Sequence, residues 1–299
     1  MLEEFFRFSI FWDVTRDLQL PAMAEALDEA CSAWADMMFM EGHPAYLGER
    51  LYASLQDLWP ALNAHGSVRL PEFYRCRQSW RRRAPGRSRT PLTLTQLRLI
   101  VDWVLRRRLP AMALWLVVCF TTYYRPSEVF SLRVGDLLRP TRRLRHHGLQ
   151  LHPFEMQVGS KARQFDDGVP LDSEIFPWLP KAMVRTLRLN QRAATDKMFD
   201  FQYKELLSLF RQACEELKVR DPSLYRLRHG GASHDAATRM RTLQEIKRRG
   251  RWASDTSLRR YEKRTWLQAE EAKVSPTQQC RAIEIERNLA ARSSAWTSG

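Results

Sequence analysis

Apolar positions along the chain set the first expectations. After Pro21, the residues Met23, Leu27, Ala30, Trp34 and Met38 recur three and four positions apart, which places them on one face of a helix. Pro21 suits the first turn of such a helix. Leu47, Leu51, Leu55 and Leu58 form a second stripe, and the spacing predicts a helix over 45–58. Gly42, His43 and Pro44 supply the turn between the two. From Trp80 to Pro91 the run WRRRAPGRSRTP has no apolar period and reads as a flexible or extended linker. The helical pattern restarts at Thr93, where Thr93 and Gln96 fit a capping box ahead of Leu97, Ile100, Val101 and Val104. A buried helix is expected over 111–124, because Ala111 to Phe120 is the most apolar stretch. That stretch is far short of the ~20 residues a membrane span needs. Between Leu149 and Leu171 the period shortens to alternating runs, with Gly159-Ser160 as a turn signal, and a small antiparallel sheet is expected. Helical patterns resume near 180. One opens on a second capping box, Thr242 and Glu245, and stops at Gly250; a last stripe carries Ala282, Ile285 and Leu289.

The fold expected is therefore mainly α with a small antiparallel β-sheet. It divides into a helical domain over 1–79, a basic linker over 80–91, a larger domain over 92–275 and a C-terminal helix and tail over 276–299.

Charge narrows the partners. The 299 residues include 48 Lys and Arg against 34 Asp and Glu, a formal charge of +14. Such a surplus favours a polyanion, since each neutralised phosphate releases condensed counterions, although charge alone does not separate DNA from RNA or an acidic membrane. Arg81, Arg82, Arg83, Arg87 and Arg89, in the linker run, are the residues expected to lie against phosphate. Forty of the basic residues are Arg and eight are Lys, and the first Lys is Lys161, so a Lys at a chemically sensible position carries weight. The five cysteines are scattered, without a CxxC pair or histidines at metal-ligand spacing. This argues against a zinc site or a disulfide framework and fits a reducing compartment. No metal or cofactor is expected, and without a signal-peptide pattern the expected location is the cytosol or the nucleus.

Four segments carry candidate chemistry, and their order is informative: TTYYRPSEVFSL at 121–132, VGSKARQFDDGVPL at 158–171, YRLRHGGASHDAA at 225–237 and RWASDTSLRRY at 251–261. Taken singly, each has an ordinary explanation. Arg125 can pair with Glu128, Lys161 can be a solvated turn residue, and Trp252 and Tyr261 can simply pack. Together they resemble the tyrosine recombinases, the family of phage integrases and chromosome-dimer resolvases. That family's pattern has an Arg in a GLRxSE-like box, a Lys on a β-hairpin, an HxxR box, and His or Trp nine residues before a nucleophilic Tyr. Arg125, with Glu128 and Leu132 around it, takes the first Arg position. Lys161 takes the Lys position, and Arg228, inside LRHGGASH, the second Arg. Trp252 takes the His-or-Trp position and Tyr261 that of the nucleophile. The match runs over roughly residues 92–265, and the N-terminal helices sit where the family has its DNA-clamping domain. One position departs: the HxxR box puts His at 225, where this chain has Tyr225. A phenol can donate a hydrogen bond but, with an ordinary pKa of about 10, is a weak general base at neutral pH.

The resemblance implies a site-specific recombinase or integrase that cuts and rejoins double-stranded DNA through a 3′-phosphotyrosyl bond, needs no metal, and assembles as a tetramer on DNA. Residues 277–292 then correspond to a C-terminal helix that docks on a neighbouring protomer, packing on the chain's own domain being the alternative. Arg125 and Arg228 are expected to hold the non-bridging phosphate oxygens, Lys161 to protonate the leaving 5′-oxygen, Trp252 to donate its indole N–H or to pack, and Tyr225 to orient the phosphate. Two other functions fit the same residues: a DNA-binding protein of this fold without turnover, and a type IB topoisomerase-like enzyme. A general basic nucleic-acid-binding module is the remaining reading.

Overall fold

In the computed structural model, which describes residues 1–85, 90–152, 167–252, 255 and 264–293, the chain forms two compact units, Met1–Ser88 and Arg89–Gly299.

The first unit contains α1 (Leu2–Phe8), α2 (Ala24–Met40), α3 (Tyr46–Leu58) and α4 (Pro71–Arg83). Most of the stripes expected from the sequence face its core, where Leu27, Trp34, Leu51 and Leu55 meet Phe5, Phe73 and Trp80, but Leu58, the last of the second stripe, is exposed. Gly42, at φ +79°, takes the left-handed conformation that lets the chain turn after α2. The start of α4 is built by a residue of α2. Pro71 sits in its first turn, and the buried carboxylate of Asp28 accepts from the Glu72 and Phe73 amides at 2.9 and 2.8 Å. These are amides that a helix N-terminus leaves without intrahelical partners. The expected linker is corrected at its start. Trp80 to Arg83 form the last turn of α4, with Trp80 buried and Arg81, Arg82 and Arg83 exposed. Basic side chains there complement the negative end of the helix dipole. Arg87 and Arg89 lie outside the described residues.

The second unit contains α5 (Leu94–Arg106), α6 (Pro110–Thr122), α7 (Pro126–Ser131), α8 (Leu179–Thr186), α9 (Tyr203–Glu216), α10 (Tyr225–Thr238), α11 (Leu243–Gly250), α12 (Arg264–Glu271) and α13 (Pro276–Ser293). Both expected capping boxes form, Thr93 with Gln96 and Thr242 with Glu245. α6 is the central element. Every residue from Ala113 to Thr122 is buried, because α5, α8 and α10 cover it from different sides. An antiparallel sheet of β1 (Leu137–Leu138), β2 (Gly148–Leu151) and β3 (Asp167–Pro170) lies in the order β1-β2-β3, with Leu149 opposite Val169 and Leu138 opposite Gly148. The expected turn at Gly159-Ser160, and with it Lys161, lies outside the described residues.

Two contacts fix how this unit closes. In α10, a Cβ at Gly231 would come 1.8 Å from the Phe120 carbonyl oxygen, and one at Gly230 would come 2.2 Å from that of Leu92. The paired glycines of LRHGGASH thus let α10 approach the backbone of α6 and of the strap before α5. At the other end of the chain, the stripe Ala282, Ile285 and Leu289 is buried in the unit's own core, where α13 packs on α5. Arg281 reinforces it with a 2.8 Å ion pair to the buried Asp102. Of the two arrangements expected for residues 277–292, the one seen in this single chain is packing on its own domain.

Substituting Gly231→Ala forces a methyl against main chain that has no rotamer to yield. Overpacking of this kind is expected to lower unfolding stability by about 3 kcal/mol, measurable by urea denaturation at constant m-value.

Candidate active site

The elements meeting at one end of α6 bring together residues from three of the four sequence segments. α6 ends at Tyr123 in a left-handed turn, φ +56°. After Tyr124, Arg125 takes an extended conformation as the N-cap of α7, and Pro126 opens that helix. This sharp re-entry places Glu128, one turn later, back beneath Arg125.

Glu128 is the hub. Its Oε2 accepts from the Arg125 backbone N–H at 2.6 Å, and its Oε1 accepts from Arg125 Nη1 at 2.6 Å. Oε2 also accepts from Arg251 Nη2 and lies 3.9 Å from Arg228 Nη1. Burial works against its charge. The Arg251 guanidinium, the Arg125 backbone amide and the guanidiniums of Arg125 and Arg228 outweigh that penalty and hold the carboxyl below its usual range. For Arg125, burial disfavours the cation, but Glu128 and a hydrogen bond with the Tyr225 side chain raise its pKa above the ordinary value. Tyr225, at the start of α10, therefore meets Arg125 through its hydroxyl. Its ring also lies 5.3 Å from that of His229.

The two arginines expected to hold phosphate are not equivalent. The Arg125 side chain is 23% exposed and that of Arg228 is 0% exposed. Arg228 Nη1 and Nη2 each donate at 2.6 Å to a main-chain carbonyl, of Tyr123 and Gly250 respectively. It thus ties the end of α6 to the end of α11. Trp252 is half-buried. Its ring stacks on Tyr123 at 6.3 Å and 13° and lies 5.0 Å from the Arg228 guanidinium carbon. Arg251 also reaches the Tyr124 ring, at 4.6 Å. Arg125, Tyr225, Arg228 and Trp252, separate in sequence, are accordingly joined in one network, Arg125 and Arg228 through Glu128, Tyr225 through Arg125 and Trp252 through Arg228. Lys161 and Tyr261 fall outside the described residues.

Sequence reasoning missed Arg251. It stands directly before Trp252, close behind Lys247, Arg248 and Arg249, where no spacing distinguishes it. Only the burial of Glu128 shows what it does. A second network was also missed. Asp172, just past β3, pairs with Arg241 at 2.7 Å and with Arg249 at 3.0 Å. Arg249 is buried and donates to the carbonyls of Thr121 at 2.8 Å and Pro170 at 3.0 Å. Arg241 pairs with Asp235 at 3.0 Å, and the Tyr123 hydroxyl donates to the same carboxylate. The end of β3 is thereby fastened to α10 and α11. Among the described residues no group of His, Cys, Asp and Glu is arranged to hold a metal ion, and none of the described helices is long and apolar enough to cross a membrane.

No protein-family model matches the chain, and no curated protein matches it in sequence. Solved structures do match in fold. One is the XerH site-specific recombinase bound to palindromic difH substrate in a post-cleavage complex, with a TM-score of 0.56 at 15% identity, covering 89% of this chain and 74% of that one. Another is the Tn1549 transposon integrase in complex with transposon right-end DNA, with a TM-score of 0.53 at 14% identity, covering 78% of this chain and 80% of that one. The chain has the tyrosine recombinase fold.

Removing the hub leaves converging guanidiniums without a counter-charge. Glu128→Ala is expected to cost about 3–5 kcal/mol of stability. The pH dependence has a definite sign. Because the folded-state pKa of Glu128 is depressed, its contribution is complete above the unfolded value of about 4.3 and is lost as pH falls through the lower folded value. Chemical denaturation across that acid range should show wild-type stability falling more steeply than that of Glu128→Gln.

Proposed function

We propose that this chain is a site-specific DNA recombinase or integrase that breaks and rejoins DNA through a 3′-phosphotyrosyl intermediate. The observation that carries this reading is that Arg125, Tyr225, Arg228 and Trp252 form one network linked through Glu128, in a fold shared with recombinases solved on DNA. Four positions singled out by a catalytic pattern meet at one place, which separate packing roles do not require.

In this reading Tyr261 is the nucleophile. Its oxygen attacks phosphorus, the O–P bond to the tyrosine forms, its phenolic proton passes to solvent water, and the bond to the 5′-oxygen breaks. Lys161 supplies the proton to that oxygen, a step suited to Lys because its pKa falls readily beside other cations. The phosphodiester bond energy is kept in the covalent intermediate, so a 5′-hydroxyl from another strand can reverse the attack and rejoin the DNA without ATP. Arg125 meets the non-bridging oxygens directly, fixed by Glu128 and Tyr225. Arg228 adds positive charge from beneath and holds the Tyr123 and Gly250 carbonyls, while Trp252 roofs it. Tyr225 orients Arg125 rather than acting as a base. Arg81, Arg82 and Arg83, exposed at the end of α4, contact DNA backbone together with Arg87 and Arg89, the first unit serves as the DNA clamp, and the protein acts as a self-associated assembly, a tetramer, on DNA. A DNA-binding protein without turnover is the second reading, favoured by Tyr225 standing where the pattern has His.

A nicked suicide substrate incubated in EDTA and run on a denaturing gel separates the two. Wild type is expected to yield a covalent protein–DNA adduct that Tyr261→Phe lacks, and Arg125→Ala to slow adduct formation by about 100-fold or more. Binding with no adduct under any condition supports the second reading. Tyr225→His regaining the adduct then assigns the loss to that one position.

A further inference from the structure

The strongest unassigned charge in the second unit lies away from Glu128. Residues 137–151 contain Arg139, Arg142, Arg143 and Arg145 and no Asp or Glu; residues 175–195 contain Lys181, Arg185, Arg188 and Arg192 and likewise no Asp or Glu. Folded together, the two stretches are rich in cations, and Arg192 pairs with a bordering carboxylate, Asp196, at 3.9 Å. The structure joins them. Arg139, at the base of the β1–β2 loop, donates to Asn190 at 2.8 Å. His147, at the loop's other end, lines a groove of about 490 Å³ together with Lys181, Arg185 and Arg188. Asn190, the residue that Arg139 holds, lines the same groove, and burial together with Arg139 pushes the pKa of His147 down.

The loop is ordered by its own hydrogen bonds. The Thr141 amide donates to the Leu144 carbonyl at 2.8 Å, and the Leu144 amide donates to Thr141 Oγ1 at 3.1 Å. Arg142 and Arg143 occupy the two positions between them. Both are exposed, as is Arg145, and among the described residues none of the three has a carboxylate within ion-pair distance. Because β2 and β3 are antiparallel, this loop leaves the sheet at the opposite end from Leu151 and Asp167, which flank the segment carrying Lys161.

We propose that the β1–β2 loop and the adjoining groove form a second DNA surface, which takes the sugar–phosphate backbone of duplex outside the cleaved site. The chemistry favours phosphate, because planar guanidiniums bind it through paired donors. It favours DNA over an acidic protein segment because phosphates recur at fixed spacing, so a pre-ordered display of cations meets them with little ordering cost. The inference rests on the proposed function only in taking DNA as the polyanion.

The test compares wild type with the triple variant Arg142→Ala, Arg143→Ala and Arg145→Ala, whose exposed positions leave the fold intact, as circular dichroism and melting will verify. Binding to a long mixed-sequence duplex is measured by fluorescence anisotropy over a range of salt. Each neutralised phosphate contributes about −0.9 to the slope of log affinity against log salt. The variant is expected to lose about two to three in that slope and at least about tenfold in affinity at physiological salt, with adduct formation on saturating suicide substrate unchanged. Unchanged slope and affinity overturn the proposal. So does intact DNA binding accompanied by lost binding of polyglutamate, which assigns the surface to an acidic protein instead. If no adduct forms with either protein while the slope still falls, the second surface stands and the catalytic reading fails; the converse pattern separates them the other way.

Discussion

An ionised carboxylate that is largely removed from water is a liability unless cations surround it, and Glu128 is one. Its desolvation costs several kcal/mol, which Arg125 and Arg251 offset through direct hydrogen bonds and Arg228 through its field. The same interaction sets the entry angle of α7, holds the residue after α11, and gathers the cations of the candidate site. Stability and site geometry are thus one property here. A domain that lost this carboxylate would lose the arrangement of its arginines along with part of its folding energy.

α11 shows how closely the two acidic centres are linked. Arg249, in its last turn, turns to Asp172, whereas Arg251, just beyond the helix, turns to Glu128. The left-handed conformation of Arg251, φ +53°, reverses the chain between them. One short helix therefore bridges the end of the sheet and the start of α7. Three buried arginines, Arg226, Arg228 and Arg249, also donate to main-chain carbonyls, a use the guanidinium fork serves and a single ammonium does not. Part of the arginine excess is consequently structural, and the formal charge of +14 overstates what is offered to a polyanion.

Much of the helical framework was legible because local signals agreed with one another. α2, α3, α5, α6 and α11 each showed an apolar period or apolar run together with a turn or cap signal, and each formed within a few residues of expectation. α4 was illegible for a physical reason. Its buried face holds Arg77, which lies over Tyr52 at 4.2 Å and pairs with Glu49 at 3.0 Å, so a search for apolar spacing passes over it. Its final arginines imitate a solvated linker because an exposed helix end and a loop have the same composition. The positions of Arg125, Tyr225, Arg228 and Trp252 were readable from their order. The role of Glu128 as a shared partner, and the existence of Arg251 and Asp172 as members, depend on contacts between elements more than a hundred or nearly eighty residues apart. No local pattern records those.

Arg226 has a mechanical consequence. Fully buried in the first turn of α10, it donates to the carbonyls of Thr90 and Pro91, and its own carbonyl accepts from the Leu92 amide. The chain entering the second unit is thereby fastened to the helix turn that carries Tyr225 and Arg228. Residues 90–92 and the first turn of α10 are therefore one hydrogen-bonded piece, held together by a single residue. A substitution at Arg226 would loosen the start of the second unit and the turn carrying Tyr225 and Arg228 together.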